Sequence, residues 1–308
     1  MTSSARLGIG AVTGAAILWG LGTVASAAVL DRGIPAGAFT LVELVTSVVF
    51  LAVVARFTGT SLPSLRRSWR VGALGLLEPG VAFLLANAGL ARTSATHAVL
   101  ILAVEPVLIA GLGWLVLRNA LPMRILIPMI TVLAGSVVVV TAHASTRGVT
   151  LMGDALVAVA VLCAAFYALG SSTIDRTISA LGVILLQQIF ALCFIVPLVG
   201  ATLFMGGGGF RAVLDGPTTP WLWLVVPFIG IGSFSLTFWL FLISLRHIPA
   251  GTAAQFLSIS TVVGFVGAVT FLGERMSVQA AMGAVVVVVS LVGIARGEQS
   301  ASRSVVVT

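Results

Sequence analysis

The most regular feature of this chain is a succession of apolar runs about 20 residues long, separated by short segments that concentrate Pro, Gly, Arg and Asp. A run of that length is long enough for a helix to cross the hydrocarbon core of a bilayer. The strict alternation of polarity that is typical of a membrane β-barrel is absent from the sequence, so each run is predicted to be a helix that satisfies its own backbone hydrogen bonds. The pattern predicts ten transmembrane helices, at about 8 to 29, 36 to 55, 71 to 90, 97 to 117, 125 to 142, 152 to 173, 181 to 203, 221 to 243, 252 to 272 and 277 to 295.

The composition places the whole chain in the membrane. Of its 308 residues, 59% are hydrophobic and 8% are charged, which is too few charges to cover the surface of a water-soluble domain. No long polar segment separates the runs, so we predict one all-α integral membrane domain. The net charge of +7 comes from arginines that lie mostly in short connectors. Basic residues in such connectors set membrane orientation, so they do not indicate nucleic-acid binding.

The distribution of arginine predicts the orientation of the chain. With the N-terminus in the cytoplasm, eleven arginines lie in inner connectors and five in outer ones, which agrees with the excess of basic residues on the cytoplasmic side of membrane proteins. Both termini of a multi-pass cell-membrane protein are therefore predicted to be cytoplasmic. The first run also resembles a secretory signal with Ala25-Ser26-Ala27 as its cleavage site, but its length favours an uncleaved first helix.

An internal repeat appears when the sequence is shifted by 155 residues. The segment that begins at Leu90 then aligns without a gap with the segment that begins at Leu245, and each segment is followed by a Val-rich run. The chain is therefore predicted to contain two five-helix repeats, residues 1 to 148 and 149 to 308. Because five is odd, the second repeat must be inverted in the membrane relative to the first, as in carriers that work by alternating access.

Three stretches of the sequence are similar to a known family. They are ILWGLGTVASAAVLDRGIPAGAF in the first run and loop, TSATHAVLILAVEPVLIAG in the fourth run, and FLGERMSVQAAMGAVVVVVSLVGI near the end, with Gly273-Glu274-Arg275 and Gly283 as landmarks. Over essentially its whole length the chain resembles the EamA-like branch of the drug/metabolite transporter superfamily. The resemblance implies ten helices in two inverted repeats and the export of amino acids or other small metabolites.

Three glutamates lie deep in the predicted helices. Counted at about 1.5 Å per residue, Glu43 and Glu105 lie roughly 10 to 12 Å from the outer face and Glu78 lies a similar distance from the inner face. An ionised carboxylate that faces lipid at this depth is unfavourable, so each acid is predicted to be protonated or to line a water-filled cavity. Such a group can bind and release a proton, as a proton-coupled carrier requires. The alternative is a permanently protonated side chain with a local hydrogen bond.

Proline follows two of these acids, in Glu78-Pro79 and Glu105-Pro106. Proline has no N–H group, so the carbonyl group four residues earlier loses its helical partner and the helix is weakened beside the acid. The sequence therefore predicts a kink at each place and a free carbonyl group that could bind a polar ligand or water.

Further polar and aromatic side chains within the runs are candidates to contact a substrate, although packing between helices explains them equally well. They are Trp19, Asn87, His97, Tyr167, Gln187, Gln188, Trp239 and Gln255. His97 could border one cavity with Glu105, but it is also near the outer mouth, where a solvated histidine needs no role in transport.

The sequence contains no recognisable catalytic or ATP-binding motif. HExxH, GxSxG and P-loop patterns are absent, and the three histidines lack metal-ligand spacing. We therefore predict no enzyme, no metal and no cofactor, and a gradient as the source of energy. The predicted function is a secondary transporter for efflux of small organic metabolites, amino acids or related compounds, coupled to protons by alternating access. A passive channel or uniporter is the alternative, and an intramembrane enzyme with Glu78 and Glu105 as an acid pair is a more distant one.

Overall fold

The computed structural model describes residues 3–117, 150–175, 177–205 and 221–274, with separate positions between 127 and 138 and between 278 and 290. All regular structure in these ranges is helical. The helices are α1 (Ser3–Leu30), α2 (Ala36–Thr58), α3 (Leu65–Gly75), α4 (Ala82–Leu90), α5 (Ala95–Leu102), α6 (Glu105–Leu117), α7 (Leu151–Ser172), α8 (Ala180–Met205), α9 (Leu222–Ile229), α10 (Thr237–His247), α11 (Ala250–Leu257) and α12 (Ile259–Phe271). Two π-helical turns, Leu76–Val81 and Gly230–Leu236, join α3 to α4 and α9 to α10.

Seven helical segments of the described chain are long and apolar enough to cross a membrane, as expected of a multi-pass membrane protein. They agree with the first four predicted spans and with the sixth to eighth. The ninth predicted span corresponds to α11 and α12, of which α12 is an apolar helix of 13 residues. The fifth and tenth predicted spans lie largely outside the described residues, so the total of ten helices stays a prediction.

Several membrane segments are interrupted near their middle, and the interruptions recur in the two halves of the chain. Helices α5 (Ala95–Leu102) and α11 (Ala250–Leu257) are offset by 155 residues. The two π-helical turns begin at Leu76 and at Gly230, one residue short of the same offset. Helices α5 and α11 therefore begin at the interval that the sequence alignment predicted.

The predicted kinks beside the two prolines are present. Glu78 interrupts its helix with an extended backbone, φ −148° and ψ 128°, and the peptide bond from Glu78 to Pro79 is cis. A residue before proline is disfavoured in the helical conformation, which explains the extended backbone from the local sequence. In the next segment α5 ends at Leu102, and α6 begins only at Glu105, immediately before Pro106.

The first helices of the two halves run in opposite directions. Ser4 Oγ lies 2.9 Å from His247 Nδ1 at the end of the bundle where α1 begins, and we refer to this end as the N-terminal face. Helix α1 leads the chain from this face to the opposite one, and α2 brings it back. Helices α3 and α4 then cross again, so α4 ends at the opposite face. Thr150 N donates to Arg92 O at 3.0 Å, which places the start of α7 beside the end of α4. Antiparallel first helices are what an inverted repeat requires.

Small residues allow α1 to approach the second half of the chain closely. A Cβ atom at Gly20 would lie 2.6 Å from the carbonyl oxygen of Ser260, and one at Gly8 would lie 2.8 Å from His247 Cβ. Neither distance leaves room for a larger side chain, so α1 packs almost backbone to backbone against α10 and α12. A cavity lies in the space between α1 and its neighbours.

Candidate functional site

A cavity lies inside the bundle, between the two halves of the chain. The first half contributes α1, the first π-helical turn, α4 and α5, and the second half contributes α7 and the second π-helical turn. The empty space, including its opening, is about 560 Å³. The lining is mainly apolar, and its polar side chains include Thr23, Ser26, Glu78, Asn87 and Ser233. Such a pocket, apolar with a few polar groups, is typical of a site for a small organic molecule.

Glu78 lies in the wall of this cavity, at the break between α3 and α4. Its side chain is buried, and within the described part of the chain no hydrogen bond joins its carboxyl group to another residue. A buried carboxyl group without a protein partner is unusual, because burial of an unpaired polar group is unfavourable. Glu78 is therefore available to bind a proton or a ligand.

Glu105 lies in the wall of a smaller cavity that adjoins the first one. Trp19, Thr23 and Leu102 line both spaces, so Glu78 and Glu105 lie in adjoining cavities. No basic residue is found in either lining within the described part of the chain. Negative charge at this place can therefore be balanced by a proton or by a cation that enters the cavity.

A cluster of aromatic rings connects the cavity wall to the core of the second half. Trp19 stacks on Phe83 with 6.2 Å between ring centroids, and both residues line the cavity. Phe234 lies 4.1 Å from Phe83, and Phe238 lies 5.6 Å from Trp19, centroid to centroid. Tyr167 meets Phe238 edge to face at 5.6 Å. The sequence predicted Trp19 and Tyr167, but it did not single out the phenylalanines, which are frequent in apolar runs.

Glu43 is buried behind the cavity and is connected to it by Asn87. Asn87 lines the cavity, and its Nδ2 donates to Glu43 Oε2 and to Thr40 Oγ1, both at 2.9 Å. Glu43 Oε1 has no hydrogen-bond partner among the described residues. The structure therefore joins two of the predicted residues in one polar network, with Glu43 one step removed from the space that a ligand would occupy.

Gln187 and Gln188 are fully buried in α8, where they bond to other helices. Gln188 Oε1 accepts from Ser47 Oγ at 2.5 Å, and its Nε2 donates to the carbonyl group of Phe234 at 3.0 Å. Tyr167 donates its hydroxyl hydrogen to Gln187 Oε1 at 3.1 Å. Neither glutamine lines the two cavities, so contact between helices accounts for them.

His97 lies near the opposite face and is buried, in contrast to the solvated position considered from the sequence. Its Nδ1 is 3.3 Å from Asp154 Oδ2, and Thr93 Oγ1 donates to Asp154 Oδ1 at 2.5 Å. His97 is not among the residues that line the cavity of Glu105. Its observed role is a polar contact between α5 and the first turn of α7.

Trp239 and Gln255 are not part of the site as described. Trp239 is partly buried and packs against the apolar core around α10. Gln255 belongs to α11, and its side chain lies outside the described residues.

Two residues with notable polar environments, Ser233 and Glu274, were not predicted as site residues. Ser233 lines the cavity, and its Oγ has no hydrogen-bond partner within the described ranges. Ser233 lies in an apolar run that also contains Ser235, so nothing in the sequence singled it out. Glu274 accepts hydrogen bonds from Ala95 N at 2.7 Å and Thr96 N at 2.9 Å, and it thereby caps α5 from the other half of the chain.

Comparison with known proteins shows that the two halves of the chain match the same family model. A model of the EamA-like transporter family matches the chain twice, at residues 6–141 and 151–296. The chain is also similar to a protein of known crystal structure, with a TM-score of 0.66 and 19% sequence identity over 95% of this chain and 98% of that chain. At this identity the likeness concerns the fold alone. Among functionally curated proteins, none matches the chain.

Proposed function

Because this chain belongs to the EamA-like transporter family, we propose that it is a secondary transporter that exports small organic metabolites across the cytoplasmic membrane. The resemblance to the family by itself suggests amino acids or related compounds, and the chemistry of the cavity narrows this choice. The arginine distribution supports a cytoplasmic position for both termini. The energy for export comes from a proton gradient.

The observation that carries this proposal is the cavity between the two family repeats. Residues of both repeats line it, and both π-helical turns contribute to its wall. In secondary transporters built from inverted repeats, substrate sites lie near the membrane midplane beside interrupted helices. Rocking of one repeat against the other would then open such a cavity to each side of the membrane in turn.

Glu105 and Glu78 are the residues proposed to carry the coupled proton. Both side chains are buried, they lie in adjoining cavities, and no basic residue of the described ranges lines either cavity. Two neighbouring carboxylates in a medium of low polarity repel each other, so a proton on one of them stabilises the closed cavity. Opening toward the side of lower proton concentration releases that proton, and this step is linked to movement of the substrate.

Export is tested by metabolite profiling of the growth medium of three cell lines. They express the wild type, express Glu105→Gln, or carry the empty vector. Solutes that accumulate outside only with the wild type, at matched membrane levels, are the expected result. Equal profiles for the wild type and the vector would contradict export.

Proton coupling is tested in proteoliposomes with a solute identified in that way. An imposed pH gradient should drive its uptake by the wild type, and Glu105→Gln should bind the solute but lose the response to pH. Asp31→Asn, a change at an exposed turn after α1, is the matched control and should keep the response. Unchanged proton-driven uptake in Glu105→Gln would remove Glu105 from the mechanism, and flux that does not saturate would favour a channel.

A further inference from the structure

We propose that the substrate accepted by the cavity is an organic cation, an amine on an aromatic body, rather than a zwitterionic amino acid or an organic anion. This inference rests on the proposed transport function and specifies its substrate class. It follows from the charge, the aromatic wall and an unpaired hydroxyl group of the cavity.

The charge of the lining favours a cation. Glu78 lines the cavity without a hydrogen-bonded partner in the described ranges, and Glu105 lies in the adjoining space. Among the residues that the structure describes, the lining of both cavities includes no arginine, lysine or histidine. The carboxylate of an amino acid or an organic acid would therefore be buried near two acidic side chains without a balancing cation, which is strongly unfavourable. An amine without a carboxylate meets no such penalty. Its positive charge balances the negative charge of the Glu78 carboxylate.

The aromatic wall favours an amine that carries an apolar ring. Trp19 and Phe83 both line the cavity, and their rings stack on each other. A ring face attracts a cation through its quadrupole, most strongly for tryptophan. The remaining apolar lining accommodates the body of the ligand, because it offers contact area and few hydrogen-bonding groups.

Ser233 supplies an independent indication of a polar ligand. Its side chain is only 5% exposed, it lines the same cavity as Glu78, and its Oγ has no partner among the residues described. A buried hydroxyl group without a partner is destabilising, and such groups often mark a place that a ligand or water completes. A protonated primary amine has three N–H donors and no acceptor, so it suits a lining whose polar groups include a hydroxyl oxygen and a carboxylate.

The charge preference is tested with three ligands that share an indole ring: tryptamine, which is a cation, tryptophan, which is a zwitterion, and indole-3-propionate, which is an anion. Binding to the purified wild-type protein is measured by calorimetry at neutral pH. Tryptamine should bind at least tenfold more tightly than the other two. Glu78→Gln should weaken tryptamine binding at least tenfold, Ser233→Ala should weaken it severalfold, and Asp31→Asn should leave it unchanged.

The proposal is overturned if tryptophan or indole-3-propionate binds as tightly as tryptamine, if none of the three binds, or if Glu78→Gln binds tryptamine like the wild type. Gel filtration and thermal melting establish that each variant is folded. If Glu78→Gln does not fold, the order of the three ligands on the wild type and the effect of Ser233→Ala decide the question.

The two proposals fail in different ways. If the metabolite profile shows wild-type-specific export of zwitterions or anions, the transport function stands and the cation preference is wrong. If tryptamine binds with the expected order but neither it nor any metabolite crosses the membrane, the binding preference stands and the export function is wrong.

Discussion

Removal of the Glu274 carboxylate should loosen the start of α5, because this side chain supplies hydrogen bonds that the helix cannot make for itself. The first N–H groups of any helix lack partners within it. Here Ala95 N and Thr96 N donate to the two oxygens of Glu274 at 2.7 and 2.9 Å, and His97 N donates to Ser94 Oγ at 3.1 Å. Glu274 belongs to the second half of the chain, so the contact also holds the two halves together at the opposite face.

The size of the effect can be derived from this geometry. Loss of a capping side chain lowers stability by about 0.5–2 kcal/mol, and a negative charge at a helix N-terminus contributes about 0.3–1 kcal/mol more. Glu274 is half-buried, so water can reach part of the freed backbone and reduce the loss. We expect Glu274→Ala to lower the free energy of local opening by about 1.5 kcal/mol, which is roughly a tenfold change in the opening equilibrium.

Hydrogen exchange of the protein in lipid nanodiscs measures this opening directly. The amides of His97 and Ala98, which donate to Ser94 and keep this acceptor in the variant, should exchange about tenfold faster in Glu274→Ala than in the wild type. Asp31→Asn removes a charge from an exposed turn without such a contact, and it should leave these amides unchanged. Equal protection of both amides in folded Glu274→Ala would refute the capping argument.

Two further changes test the packing around the cavity. Gly75→Ala would place a Cβ atom against the carbonyl oxygen of Gln187, so the free energy of unfolding should fall by about 1–3 kcal/mol or more. The control Gly10→Ala has no atom within 4 Å of the added carbon and should not lower this free energy. Equal melting temperatures for both variants would contradict the close approach of the helices. Asn87→Ala removes the donor to Glu43 Oε2 and should lower the free energy of unfolding by about 1–3 kcal/mol, because a buried acceptor is left unpaired. The test is a double-mutant cycle with Glu43→Gln. Strictly additive losses of stability would show that the two side chains do not interact.

The sequence alone determined the features that depend on length, composition and local chemistry. Apolar runs of about 20 residues predicted the seven described membrane segments, because only helices of that length satisfy their backbone in lipid. The Glu78-Pro79 and Glu105-Pro106 pairs predicted the two breaks, because proline removes a donor at a known position. The 155-residue repeat predicted the offset of α5 and α11.

Only the tertiary structure decided which side chains face the cavity. Glu78 lines the cavity, whereas Glu43 bonds to Asn87 and His97 turns toward Asp154. The sequence could not distinguish these outcomes, since helices that are apolar on every side carry no periodic pattern to set their rotation in the bundle. That rotation depends on close contacts between distant segments, such as Gly20 against Ser260, and these contacts exist only when both halves are assembled.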